Sequence, residues 1–179
     1  MLSVEEPRRP GILPGTLMGA GIQIVRESNG IVTPGSLEIP YHDIRGKRTG
    51  FSRFRLSEPK GEQKYDQPKG SGSRAYIPPG LSQIPSSDNL SIVEGEFKAL
   101  SLFEAGHPAI GLPSFGTYVN NDGRKRLLEG ISEVIKSRSA RLVYFIGDSD
   151  TATNPEFARN AHFLAESLHE LGIEVRLPR

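Results

Sequence analysis

Leu90-Ser91-Ile92-Val93-Glu94-Gly95-Glu96 closes a short apolar run on two acidic side chains, and Leu142-Val143-Tyr144-Phe145-Ile146-Gly147-Asp148-Ser149-Asp150 repeats the pattern further along the chain. Short apolar runs of this kind read as buried strands. In an open parallel sheet the carboxyl ends of the strands converge on one crevice, so Glu94, Asp148 and Asp150 are expected to share a site. Three carboxylates in one crevice call for a hard divalent cation. Mg²⁺ takes oxygen ligands and commonly bridges protein carboxylates to substrate phosphates, which points toward phosphoryl transfer. The other reading of an Asp-x-Asp after a strand is that it marks the strand end or caps the next helix.

Around these two runs, the chain after residue 89 alternates regularly. Strand-like Leu90–Val93 precedes helical Phe97–Ala105, apolar Ala109–Leu112, helical Arg124–Ser137, strand Leu142–Ile146, helical Pro155–Leu171 and strand Ile173–Leu177. That order predicts βαβ units, a parallel sheet and an α/β fold. In the last helix Phe157, Ala161, Leu164, Ala165, Leu168 and Leu171 recur at three- and four-residue intervals and give one apolar face. Asn154-Pro155 supplies its start and Gly172 its stop.

Before residue 89 Gly and Pro recur, with β-like pieces at Gln23–Val25, Leu37–Tyr41 and Gly50–Leu56 and a hairpin turn at Asp43–Lys47. The division expected is an N-terminal extension (1–36), a small β-rich basic lobe with a linker (37–88) and an α/β domain (89–179). Net charge is only +1, but it is unevenly placed. Residues 45–74 hold nine basic and three acidic side chains, a balance of +6, whereas residues 91–179 hold ten basic and twelve acidic, a balance of −2. Phosphate contacts are therefore expected from the first region and metal ligands from the second.

The 179 residues suffice for one buried core with a small annex. Cysteine is absent, which excludes disulfides and a Cys-based zinc site within the chain and agrees with a reducing cytoplasm. No apolar stretch approaches the ~18 residues needed to span a bilayer. Glu5, Glu6 and several prolines stand where a signal peptide needs its apolar core, so neither export nor a membrane partner is expected.

Glu94-Gly95-Glu96 and Asp148-Ser149-Asp150, each ahead of a helix, resemble the two signature motifs of the toprim domain shared by primases, topoisomerases, recombination-repair proteins and some nucleases. From about Leu37 onward the chain resembles the catalytic core of bacterial primases. It is more similar still to the toprim-like domain of primase-helicase proteins of plasmids, phages and mobile elements. Ile39–Asp43 with Gly46, Gly50-Phe51-Ser52-Arg53, Lys64-Tyr65, Arg74–Ile77 and Ser114-Phe115-Gly116-Thr117 match primase segments in the right order. Lys98 stands where replicative primases carry Asp, and Thr151–Pro155 lengthens the second motif's junction, both of which point to the mobile-element branch.

The resemblance implies a four-stranded parallel toprim sheet preceded by the β-rich lobe, and a primase-type nucleotidyltransferase active in DNA replication. Its cofactor would be Mg²⁺ or Mn²⁺, and its partners a single-stranded DNA template, nucleoside triphosphates and a helicase domain or protein. Asp148 and Asp150 are metal ligands on this reading, and Glu94 is a ligand or a general acid/base. Glu96 is either a further ligand or a first-turn acid stabilised by the helix dipole. Lys98, Ser114, Gly116 and Thr117 would meet the nucleotide, although Lys98 on a solvated helix face is an equal alternative. Arg53, Arg55, Lys64, Tyr65, Lys69 and Arg74 would bind nucleic acid, since basic side chains interleaved with aromatics suit phosphates and base stacking. The lobe's basic face is expected to border the crevice. A toprim nuclease and a non-catalytic module that binds DNA or a partner are the other functions compatible with these residues.

Overall fold

A computed structural model of the chain describes residues 6–28, 30–114, 127–128, 130–147 and 155–177. In order it forms α1 (Pro14–Gly19), β1 (Gln23–Ile24), β2 (Leu37–His42), β3 (Arg48–Lys60) and β4 (Gln63–Asp66), then a 3₁₀ turn (Leu81–Gln83). There follow β5 (Asn89–Glu94), α2 (Glu96–Glu104), β6 (Ala109–Leu112), α3 (Ile131–Arg138), β7 (Leu142–Ile146), α4 (Pro155–His169) and β8 (Glu174–Arg176).

The first four strands make an antiparallel sheet in sequential order, and the last four a parallel sheet in the order β6-β5-β7-β8. The chain leaves β5 for a neighbour on one side and later returns to β5's other side, so the order reverses between β5 and β7. Ligands of open α/β sheets bind at such a reversal, beyond the carboxyl ends of the strands. Glu94 closes β5 there, and the preceding Val93 pairs with Ile146, the last residue of β7.

Both faces of the parallel sheet are covered, which explains its near-continuous apolar runs. On one face Leu90, Ile92, Ile110, Leu112, Val143 and Phe145 pack under α3 and α4. The other face joins the two sheets: Val93, Ala109 and the α2 residues Phe97, Ala99 and Leu100 form one core with Ile39, Tyr41 and Phe51. Leu17, Ala20 and Ile22, from the segment ahead of residue 37, belong to this core too. Tyr76 adds a backbone weld, exchanging hydrogen bonds with Gly111 (2.7 and 2.9 Å) along the outer edge of β6. An edge strand is thereby covered.

Two expectations change at helix ends. The helix expected from Arg124 begins at Ile131: Leu127 and Leu128 are not helical, because Gly130 takes φ +95° and interrupts the backbone just before the first turn. Leu171, assigned to the apolar face of the last helix, is 48% exposed. That helix stops at His169, and Gly172 at φ +77° turns the chain into β8 with Ile173 N–H donating to Leu168 O (3.0 Å).

Candidate active-site groove

The site is built on the turn out of β5. Gly95 has φ +87° and ψ 156°, a region open essentially to glycine alone, and its N–H donates to Leu112 O (2.7 Å), tying the turn to β6. Gly111 lies beneath it. A Cβ there would stand 2.6 Å from Gly95 O, so the close crossing needs both glycines.

This turn sends its two acids to different places. Glu94, half-buried, lines an open groove of about 510 Å³ between the sheets. Glu96 begins α2 and is fully buried. Its Oε1 accepts from Tyr41 Oη of β2 (2.7 Å) and from Arg53 Nη1 of β3 (2.9 Å), so one carboxylate oxygen holds both inner strands of the lobe. Its Oε2 is buried and has no hydrogen-bond partner among the described residues.

The electrostatics follow from that burial. Burial, then the Glu96 charge and hydrogen bond, hold the Tyr41 phenol well above its ordinary range. Burial and Glu96 also push Tyr76 up. Burial alone would lower Arg53, but the charge and hydrogen bond of Glu96 together with the neighbouring Tyr41 and Tyr65 outweigh it, and the guanidinium stands above its ordinary value.

The lobe lines the groove with Arg53, Glu62, Lys64 and Tyr65, and Lys98 lines it from the α2 side. The Arg53 guanidinium sits 4.5 Å from the Tyr65 ring centroid, and Arg55 donates to Tyr65 Oη (3.0 Å) while lying 5.3 Å from the same ring. The structure thus brings Glu94, Glu96, Arg53, Lys64, Tyr65 and Lys98 together. Arg74 goes elsewhere: it lies over Phe51 (5.0 Å) and lines a separate cavity of about 80 Å³ beside His42. Lys69 is exposed on the loop after β4, where Gln67 Nε2 donates to Ser71 Oγ and Gly72 O, and it does not line the groove. Ser114 lies just past β6, at the same end of the sheet as Glu94. Asp148, Asp150, Gly116 and Thr117 lie outside the described residues.

Arg9 is a cationic groove residue that the sequence pattern does not single out. It reaches the site from the N-terminal segment, its guanidinium 5.1 Å from the Phe97 ring centroid. The only signal was a basic pair, Arg8-Arg9, ahead of Pro10.

Among the described residues no three acidic or imidazole side chains come together as a metal site; besides the buried Glu96, the carboxylates lining the groove are Glu94 and, on the lobe side, the exposed Glu62. Glu96 is poorly suited to a cation, since its bonded oxygen already faces Arg53. No protein-family profile and no curated protein match the chain. Among solved structures it is similar to the "structure of the DnaG catalytic core", with a TM-score of 0.60 and 14% identity, over 93% of this chain and 60% of that one. The chain therefore has a mixed α/β fold similar to that of the DnaG catalytic core and spans about three-fifths of that structure's length.

Proposed function

We propose that this chain is a primase-type nucleotidyltransferase domain that extends or synthesises a strand on single-stranded DNA, in the replication of a plasmid or mobile element. The observation that carries the reading is the groove itself: Glu94, at the strand-order reversal, shares one cleft with lobe cations, on a fold like the DnaG catalytic core. Phosphoryl transfer rests on positioning and charge neutralisation, and the cleft brings Glu94 together with the cations Arg9, Lys64 and Lys98.

Glu94, Asp148 and Asp150 are the residues that would hold Mg²⁺ or Mn²⁺. The fit is supported by Gly147, which leaves β7 beside the end of β5, so that the two aspartates follow from the strand next to Glu94. A divalent ion held there neutralises phosphate charge. Lys64, Lys98 and Arg9 attract the phosphates of strand and nucleotide, and the aromatic Tyr65 lines the same space. Ser114, and Gly116 and Thr117 that follow it in sequence, are the residues that would meet the nucleotide. A helicase domain or protein is the partner that would supply the open strand.

The test is a gel assay with primed and unprimed single-stranded template, labelled nucleotides and Mg²⁺ or Mn²⁺. Metal-dependent extension that is lost in Asp148→Asn and Glu94→Gln is the expected result. Template cutting without extension, or no reaction, would refute the transferase assignment. Calorimetric titration with Mn²⁺ in the presence of nucleotide should show weaker binding in both variants than in the wild type.

A further inference from the structure

The cations that line the groove do not have the same standing. Arg53 is already answered within the protein: its Nη1 lies 2.9 Å from Glu96 Oε1, with side chains only 14% and 1% exposed. Its guanidinium also covers the Tyr65 ring. Moving it onto a phosphate would leave a carboxylate buried with Tyr41 as its one remaining partner among the described residues. Breaking a buried pair by removing one member is strongly destabilising, so that exchange is opposed. Lys64, by contrast, is exposed on β4, and Arg9 is half-exposed at the groove's end.

We propose that Glu96 is a positioning residue that withholds Arg53 from phosphate contact, so that Arg53 fixes the Tyr65 wall while Arg9 and Lys64 take the strand phosphates. The inference rests on the reading that this groove receives single-stranded nucleic acid. It gives the Glu94-Gly95-Glu96 turn two jobs. One acid faces the substrate, and the other locks the opposite wall at a set distance from it.

Salt dependence separates the roles, because each phosphate contact contributes about −0.7 to the slope of log K against log salt for a single strand. The probe is a labelled oligothymidine, followed by fluorescence anisotropy over a series of salt concentrations. Lys64→Gln and Arg9→Gln should each make the slope shallower by about 0.7. The double variant Arg53→Gln with Glu96→Gln, which leaves no unpaired buried charge, should keep the wild-type slope. Glu96→Gln alone should steepen it by about 0.7, since Arg53 is released to act as a further phosphate contact.

Circular dichroism checks that each variant folds. Should the single Glu96 variant not fold, the double variant decides. A double variant whose slope falls as far as that of Lys64→Gln overturns the inference, as does a folded Glu96→Gln with an unchanged slope. Failure of the wild type to bind the strand overturns the groove reading and this inference together. Binding in which Arg53 counts as a phosphate contact overturns this inference alone.

Discussion

The two sheets are built on different terms. The parallel sheet is sandwiched: its central strands bury side chains on both faces, and one of its two cores draws on α3, α4 and four strands. The antiparallel sheet packs only its inner face against that body, through Ile39, Tyr41 and Phe51, and its outer face carries a small cluster of Val32, Phe54 and Leu56. The sandwiched sheet is thus the rigid reference that places Glu94, and the lobe is a charged wall held to it by one core and one buried ion pair. Truncation should expose the inequality. Phe145→Ala, in the larger core, should cost about 4 kcal/mol, and Phe54→Ala, beside a surface able to collapse, about 3 kcal/mol. Urea midpoints at a constant m-value measure both. A costlier Phe54 truncation would reverse the ranking of the sheets.

The contact between the regions can be stressed at its tightest point. Gly111 is pinned between Gly95 of the β5–α2 turn and the Tyr76 backbone. Gly111→Ala pushes a methyl against the Gly95 carbonyl and should cost about 3 kcal/mol, at the upper end for overpacking, because backbone must yield. Any strand binding or transfer should weaken along with stability, since the displaced turn carries Glu94. A stable Gly111→Ala protein with altered binding would show that the turn moves without the sheet.

Two tyrosines at the same interface differ in a way that sharpens the comparison. Tyr41 Oη donates to the buried Glu96 carboxylate, whereas Tyr76 Oη is buried with no partner among the described residues. A hydrogen bond to a charged group is worth more than a neutral one, so Tyr41→Phe should cost about 2 kcal/mol. Tyr76→Phe removes a polar atom that has already lost its water and should be neutral or slightly stabilising. Thermal melts of the two variants, whose side-chain changes are chemically identical, test whether Glu96 is the weld between the sheets.

The parallel half was legible because burial on both faces writes itself as continuous apolar runs separated by helical periodicity. Ile92, Phe145 and Leu164 all lie in the predicted core. Helix ends were less legible. Gly130 acts through a backbone angle that composition does not reveal, so residues 127–128 read as helix although they are not. In the lobe, alternation on β3 indicated a strand but not the inward direction of Arg53, because a charged side chain gives no hint that a buried acid 43 positions away will meet it. Glu96 read as a further ligand or, more simply, a first-turn acid for the same reason. Arg9 was invisible, since its place depends on how the N-terminal segment crosses α2.

The smallest effect expected is a pH step confined to the lobe. His42, at the end of β2, is buried, and its Nδ1 has no hydrogen-bond partner among the described residues. Burial lowers its pKa, the Arg48 charge lowers it further, and Asp43 partly opposes them. The folded state therefore binds a proton less readily than the unfolded state, in which histidine titrates near ~6.5. Between the depressed folded value and ~6.5 the unfolded chain carries more protons, so stability rises with pH through that window. Above it, the neutral histidine is fully accommodated. As pH falls through ~6.5, stability is lost until the folded-state group also protonates. Melting temperatures of wild type and His42→Gln from pH 5 to pH 8 should diverge in shape, with the wild type losing ground on acidification faster than the variant. Parallel curves would mean that His42 reaches solvent in the folded protein. The lobe edge would then be looser than its packing implies, and the contrast between the two sheets correspondingly greater.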